Sequence, residues 1–310
     1  MSEKNILEIM GKKILLIVIF AGMLFNLAFS QQKFTVANLN YMLSPDNSYS
    51  EPGLSSNIQY LSGTINAPIV LNDKGTILTG FRGNYWTVNY SPSQIWPVNY
   101  YSLGLTLGYN YKFSDKKSFL FVLLPRLNSD LEHINSNALQ LGFISTYSKR
   151  TSDKFLWKLG VYFNTEFFGP FVVPIFGLNW DIGKKLSLKG DLPIYAKLNY
   201  EASENFSTGL GYIALVSTYR LTGEFNDAYT SRFAIEPYLY VDVKLIKNLY
   251  LNGKAGYTMG RKYPVYAKDD KIDLQLSFIK FGDDREQLNY EIDEGTFIEF
   301  GISYKVDIAD

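Results

Sequence analysis

The chain has 310 residues, with 30 Lys+Arg against 30 Asp+Glu, one His and no Cys. Charged residues make up 19% and aromatics 16%, and the mean hydropathy is -0.07. These figures exclude a disulfide scaffold, a thiolate metal site, an electrostatic nucleic-acid surface and a disordered chain, and they suit a protein much of whose surface does not face water.

Residues 1–30 read as a secretory signal peptide. Lys4, Lys12 and Lys13 give a basic start, Ile14 to Phe25 is unbroken apolar sequence, and Ala28-Phe29-Ser30 places small residues at a cleavage site. The apolar run is shorter than the ~20 residues a spanning helix needs. Removal of three lysines and two glutamates with this segment leaves 27 basic and 28 acidic residues from Gln31 on, still close to neutral. The expected domain is 31–310, exported without need of disulfides.

From there the sequence reads in twos. In 101–113 the odd positions are Tyr101, Leu103, Leu105, Leu107, Tyr109, Tyr111 and Phe113, and between them lie Ser102, Gly104, Thr106, Gly108, Asn110 and Lys112. Residues 233–245 and 298–306 repeat the pattern, as do Leu186, Leu188 and Leu192 against Lys185, Ser187, Lys189 and Asp191. Strand side chains point alternately to opposite faces, so these are two-faced strands. A soluble sandwich also alternates, but its strands are usually ~5–6 residues, whereas membrane strands need ~9–11. The longer runs here, the small polar residues on one face and the aromatics gathered at run ends favour an all-β, transmembrane, antiparallel up-and-down β-barrel. Such aromatics include Tyr109, Tyr111 and Phe113 before one turn, Phe155 and Trp157 after another, and Trp180.

Six tight polar turns punctuate the runs: 72–75, 114–117, 151–154, 183–184, 203–205 and 247–248. Six short turns at one end imply about 14 strands, with 12 as the alternative. The expected spans are 33–43, 55–71, 76–90, 99–113, 118–127, 138–149, 155–167, 171–182, 185–192, 195–202, 206–221, 233–246, 249–261 and 296–306. The longer outer loops are then 44–54, 91–98, 128–137, 222–232 and 262–295, while 168–170 and 193–194 must be tight. Three places strain the scheme. Phe119 to Leu124 is apolar on both faces, Asn205 to Leu221 alternates poorly, and 185–192 and 195–202 are short.

Chemistry-bearing residues are few. His133, the one histidine, falls in an expected outer loop with no placeable serine beside it, and reads as solvated; no enzyme and no cofactor is expected. Loop 262–295 carries nine carboxylates without EF-hand spacing and reads as a solvated, mixed-charge loop. Within it, Leu274 to Ile279 alternates enough for a small hairpin, a folded cap or an inward fold that narrows the lumen. The charges expected to line the lumen are Lys112, Lys158, Glu166, Glu236, Asp242, Lys244, Lys254, Glu299 and Lys305, with Lys197 and Glu201 beside them. Both signs occur in similar number. This fits mutual ion pairing inside the barrel better than a strongly ion-selective pore.

The signal peptide, the alternating meander, Pro174-Ile175-Phe176-Gly177-Leu178-Asn179-Trp180, and Leu192-Pro193 followed by Lys197-Leu198-Asn199-Tyr200 resemble an uncharacterised outer-membrane β-barrel family of Gram-negative bacteria, a domain of unknown function. The resemblance covers essentially all of 31–310. It implies outer-membrane lipid and the barrel insertion machinery as partners, but no activity. One departure is the ending Asp307-Ile308-Ala309-Asp310, where many such barrels close on an aromatic residue. The leading functional expectation is a passive pore or carrier for small solutes with a mixed-charge lumen. The alternative is a non-transporting structural or surface-interaction barrel acting through its extracellular loops, above all 262–295. No nucleic-acid partner is expected.

Overall fold

The computed structural model describes residues 33–91, 99–132, 136–222 and 228–307. The expected signal peptide, His133 and the final Ile308-Ala309-Asp310 lie outside the described residues. In chain order the strands are β1 (Lys33–Ser48), β2 (Ser55–Asn66), β3 (Ile69–Val70), β4 (Gly75–Ser91), β5 (Asn99–Ser114), β6 (Lys117–Ser129), β7 (Leu139–Ser152), β8 (Phe155–Glu166) and β9 (Gly169–Asp181). They continue with β10 (Leu186–Leu192), β11 (Tyr195–Ser203), β12 (Phe206–Arg220), β13 (Ala228–Ile246), β14 (Leu249–Lys262), β15 (Val265–Ala267), β16 (Leu274–Leu276), β17 (Ile279–Phe281) and β18 (Gly295–Asp307).

Fourteen of these form one closed antiparallel sheet: β1, β2, β4 to β14 and β18, each hydrogen-bonded to its successor. Closure comes from β1, which pairs with β2 on one side (Tyr41↔Leu61) and with β18 on the other (Tyr41↔Phe300). The twelve-strand alternative is thereby removed. The six polar turns all sit at one end. At the first, the Asn72 side-chain oxygen accepts from the backbone N–H of Lys74 (2.9 Å) and Gly75 (2.8 Å), a local bond that lets Asn compete with the strand and reverse the chain.

The alternation has a physical outcome. On β5 the odd side chains from Leu103 to Phe113 are exposed on the outside, whereas Ser102, Gly104 and Thr106 face the interior. The same holds for Leu239, Val241, Val243 and Leu245 on β13 and for Ile298, Phe300, Ile302 and Tyr304 on β18. An exposed apolar belt around a closed sheet would be an aggregation hazard in water but is what hydrocarbon requires, since every wall N–H and C=O must be paired there. Near the short-turn end, aromatic rings meet across strands: Phe155 and Trp180 (6.2 Å between centroids) and Tyr147 and Trp157 (5.9 Å). Such rings form the interfacial girdle of outer-membrane barrels. The chain is a transmembrane β-barrel of the outer-membrane type.

The wall is not uniform at its other end. β10 and β11 turn back early at Pro193-Ile194. The β9–β10 ladder therefore stops at Phe176↔Leu192, and the β11–β12 ladder stops at Tyr195↔Ile213. Residues 214–220 of β12 then leave the wall with β13 and cross the lumen to β6, although β7 to β11 stand between them in the sheet. There Arg220 pairs in parallel with Ser129, Asp130 N donates to Arg220 O (3.2 Å), and Asn128 Nδ2 donates to Thr218 O (3.0 Å). The Tyr219 ring lies 6.0 Å from Trp86 and 5.5 Å from Tyr100. This explains why Asn205 to Leu221 alternates poorly: the second half of β12 has protein on both faces.

Segment 262–295 keeps most of its carboxylate residues exposed, as a solvated loop does, but it is folded onto the barrel. β15 pairs with β13 (Tyr229↔Tyr266), and β16 runs parallel along the edge of β9 that β10 leaves free (Gln275↔Phe171, Leu276↔Val172). β16 and β17 form the small hairpin that the local alternation foreshadows. Ile272 is buried with Phe168, Phe171, Val173, Tyr229 and Tyr266. The segment thus patches the wall and, with the inward part of β12, caps the barrel mouth.

Candidate functional site

Beneath this cap the lumen holds a cavity of about 720 Å³. Its lining mixes amide and hydroxyl groups such as Asn38, Asn40, Ser62 and Asn84 with apolar side chains such as Val122, Leu124, Phe171 and Val173. Val122 and Leu124 account for the doubly apolar run in β6, because there the inner face is apolar as well.

Seven of the nine sequence-predicted charges enter ion pairs, in two tiers. Around the cavity, Lys254 Nζ lies 2.6 Å from Glu299 Oε1, directly across the β14–β18 ladder, with the ammonium 5.2 Å from the Tyr238 ring. Glu236 accepts from Arg232 (3.1 Å) four residues earlier on the same inward face of β13. Glu166 accepts from Arg126, Asn164 Nδ2 (2.7 Å), Gln140 Nε2 (3.2 Å), Thr218 N (3.1 Å) and Thr218 Oγ1 (2.6 Å). Nearer the short turns, Lys158 pairs with Asp191 (2.8 Å), both being register neighbours of Gly177, whose missing side chain leaves them room to meet. Asp242 accepts from Lys305 (2.8 Å) and Asn252 (2.6 Å), with Lys197 at 3.8 Å. Lys197 also lies 3.8 Å from the Tyr240 ring.

Lys112 is exposed at the short-turn end of β5, and Lys244 is half-buried toward the same end of β13. Neither is in an ion pair among the described residues. Glu201 is half-buried on β11.

The polar residues that reading along single strands misses are Gln140, Asn164, Asp191, Thr218 and the arginines Arg82, Arg126 and Arg232. Arg232 stands in what the sequence presents as loop 222–232, and Arg126 at the end of a strand. The role of Arg126 appears only across strands, where Arg126 and Gln140 are register neighbours and Gln140 reaches Glu166 on the next strand.

The cap is fastened by two further contacts. Asp130 accepts from the Thr222 N–H (2.6 Å) and hydroxyl. Arg285, its side chain only 2% exposed, is forked to Asp283 (2.7 and 3.0 Å), donates to Tyr229 Oη (3.0 Å) and stacks over Tyr266 at 4.1 Å. These donors, Arg285 first and then Lys280, hold the Asp283 carboxyl well below the usual carboxylate range despite its partial burial.

A model of a family described as a domain of unknown function (DUF6268) matches residues 36–305. No curated protein matches the chain. Among solved structures, an outer membrane channel from Pseudomonas putida F1 is similar at 11% identity, over 90% of this chain and 97% of that one, with a TM-score of 0.47. The P. putida toluene transporter TodX is similar at 9% identity over 91% of each chain (TM-score 0.42), and the NanC porin at 10% over 87% and 100% (TM-score 0.36).

Proposed function

This chain belongs to the DUF6268 family, a domain of unknown function, and from its geometry we propose that it is an outer-membrane channel passing small solutes passively through a mixed-charge lumen. The observation that carries the reading is the lumen itself. A closed barrel encloses a cavity of about 720 Å³, and its charges are largely neutralised in pairs such as Lys254–Glu299 and Arg232–Glu236. Paired charges satisfy each other inside the wall and leave a weak net field, so ion selectivity is low. The inward half of β12 and segment 262–295 restrict the outer mouth, so flux is small and solute size matters.

The test is planar-bilayer recording of the purified full chain in a salt gradient. Wild-type protein gives stepwise conductance with a reversal potential near zero. Lys254→Gln leaves Glu299 unpaired and shifts reversal toward cation preference; Glu299→Gln shifts it the opposite way. Silent bilayers from heat-modifiable, folded protein overturn the reading.

A second reading, a surface-interaction barrel, draws on the exposed Ile279, Phe281, Leu288 and Tyr290 of segment 262–295. Deleting 268–290 is a poor test of it, because that removes β16 and β17 and unpatches β9. Serine substitutions at Ile279 and Phe281 test it instead: loss of cell-surface binding with conductance intact supports it.

A further inference from the structure

The cavity is two-sided. Against β1, β2 and β4 its wall is mostly amide and hydroxyl; against β9 and β12 it is mostly apolar, with Phe171, Val173 and Val216, and Phe233 of β13 adds to that side next to the charged Arg232 and Glu236. Its charges do not quite balance. Arg126, Arg232 and Lys254 line it and have Glu166, Glu236 and Glu299 as partners. Arg82, on β4, also lines it, is exposed to the lumen, and makes no ion pair among the described residues. Its register neighbours are Thr64 and Gly104, which supply no carboxylate.

The apolar side is also where the wall is interrupted. Above Pro193-Ile194, residues 169–175 of β9 and 214–220 of β12 have no wall strand between them. The gap is filled by the tip of the β16–β17 hairpin, tied to β9 by Ser277 N donating to Val172 O (2.8 Å). The side chain at that tip is Phe278. It lines the cavity, stands edge-on to Phe233 at 6.2 Å, and is nevertheless 54% exposed. Phe278 thus stands at the border of the cavity, in the gap between β9 and β12. β9 keeps an apolar outer face along the gap, with Pro170, Pro174 and Phe176 exposed, so the outside there is lipid.

We propose that the cavity binds an amphipathic monoanion, a carboxylate on an apolar body. It enters from the bilayer past Phe278, with the carboxylate on Arg82 and the body against Phe171, Val173 and Phe233. A guanidinium without a partner beside amide donors is the complement of a carboxylate, and a planar fork favours it over a hydroxyl. A cavity of this size falls in the range of small-molecule sites. The proposal deepens the channel reading by naming what the lumen holds, and it rests on that reading for the lumen being accessible.

The experiment is equilibrium binding of decanoate to the full chain in lipid nanodiscs, with empty nanodiscs as background and 1-decanol and butyrate as comparators. Saturable one-to-one decanoate binding, with both comparators weaker by about tenfold or more, is expected, since a charge-assisted contact and an apolar body each contribute at least that factor. Arg82→Gln should bring decanoate down to the level of decanol, and Arg82→Lys should retain part of the difference. Phe278→Ala should speed association of decanoate added in the lipid and leave that of butyrate, which arrives through water, unchanged. Equal decanoate binding in wild type and Arg82→Gln, or equal binding of decanoate and decanol, overturns the anion site. An unchanged rate in Phe278→Ala overturns the side entrance. Stepwise conductance without saturable decanoate binding defeats the ligand proposal and leaves the channel reading standing, whereas saturable binding with silent bilayers does the reverse.

Discussion

Glu166 is the residue on which the inward position of β12 most depends. Its side chain is wholly buried and accepts from five donors, two of them on Thr218 in the part of β12 that has left the wall. In Glu166→Ala the Thr218 N–H loses its acceptor, the Thr218 hydroxyl keeps only its incoming bonds from Phe167 N and Gln140, and Arg126 becomes an uncompensated charge. Removing one partner of a buried pair costs about 3–5 kcal/mol. The Arg126 side chain retains 18% exposure, which favours the low end, about 3 kcal/mol. That corresponds to about a hundredfold change in the equilibrium between docked and released β12. Glu166→Gln keeps the shape and one acceptor but not the charge, and should cost about half as much. Hydrogen exchange is the direct assay: amides of 217–220 should exchange about a hundredfold faster in Glu166→Ala, while those of the wall segment 238–243 stay protected. Single-channel records should show larger or more frequent openings. The double variant Glu166→Ala with Arg126→Met removes the stranded charge, so it should recover most of the barrel stability and part of the protection at 217–220, leaving the loss due to the missing Thr218 acceptor. If Glu166→Ala leaves exchange at 217–220 unchanged, the carboxylate does not hold β12 and the reasoning fails.

Other outcomes follow from the same geometry. Arg285→Met keeps apolar bulk over Tyr266 but frees Asp283 and Tyr229, so trypsin or chymotrypsin should cut within 268–290 at protease levels that leave wild type intact; equal resistance counts against the staple. Because the folded Asp283 carboxyl titrates below its unfolded value, its contribution is present above about pH 4 and is lost as pH falls through the folded value. The cap should therefore stay protease-resistant at pH 5 and loosen only under strong acid; loosening between pH 6 and 5 would contradict this. Leu239, 67% exposed on the outer face, should tolerate Arg in a detergent-free aqueous protein but cost about 2–4 kcal/mol in a bilayer-inserted barrel, read as a lower urea midpoint for folding into vesicles. No loss of stability there would place the residue outside the hydrocarbon.

How much of this was legible in the sequence depends on which contacts a residue makes. Where one face of a strand meets lipid and the other meets the lumen, alternation carries the information, and six polar turns suffice to count fourteen strands. β5 and β18 lie within a residue or two of their expected spans for this reason. The signal fails wherever a strand has protein on both sides. The inward end of β12 and the apolar inner face of β6 at Val122 and Leu124 are such places, and both registered only as lapses in period. Segment 262–295 misleads in another way. Its carboxylates suggest solvation, yet Arg285, Ile272 and Gln275 fold inward against the edge of β9. That edge exists only because β10 and β11 are short, a fact visible in the sequence whose consequence emerges only in the closed sheet.

The lumen shows the same division. That charges of both signs would face inward follows from the strand period, but their pairing follows from register. Lys254 and Glu299 lie 45 residues apart in sequence and are direct cross-strand neighbours. Lys158 reaches Asp191 over Gly177, a relation that no single strand displays. Once these pairs are drawn, near-zero net charge ceases to describe a uniform interior. The paired residues cancel within the wall, and what remains for a solute is the unmatched part: Arg82 on the polar side, an apolar wall opposite, and a gap closed by Phe278. Selectivity in such a barrel therefore resides in the few groups its own neighbours leave unsatisfied, and a substitution at Arg82 should matter more to a ligand than one at any paired charge of the lower tier.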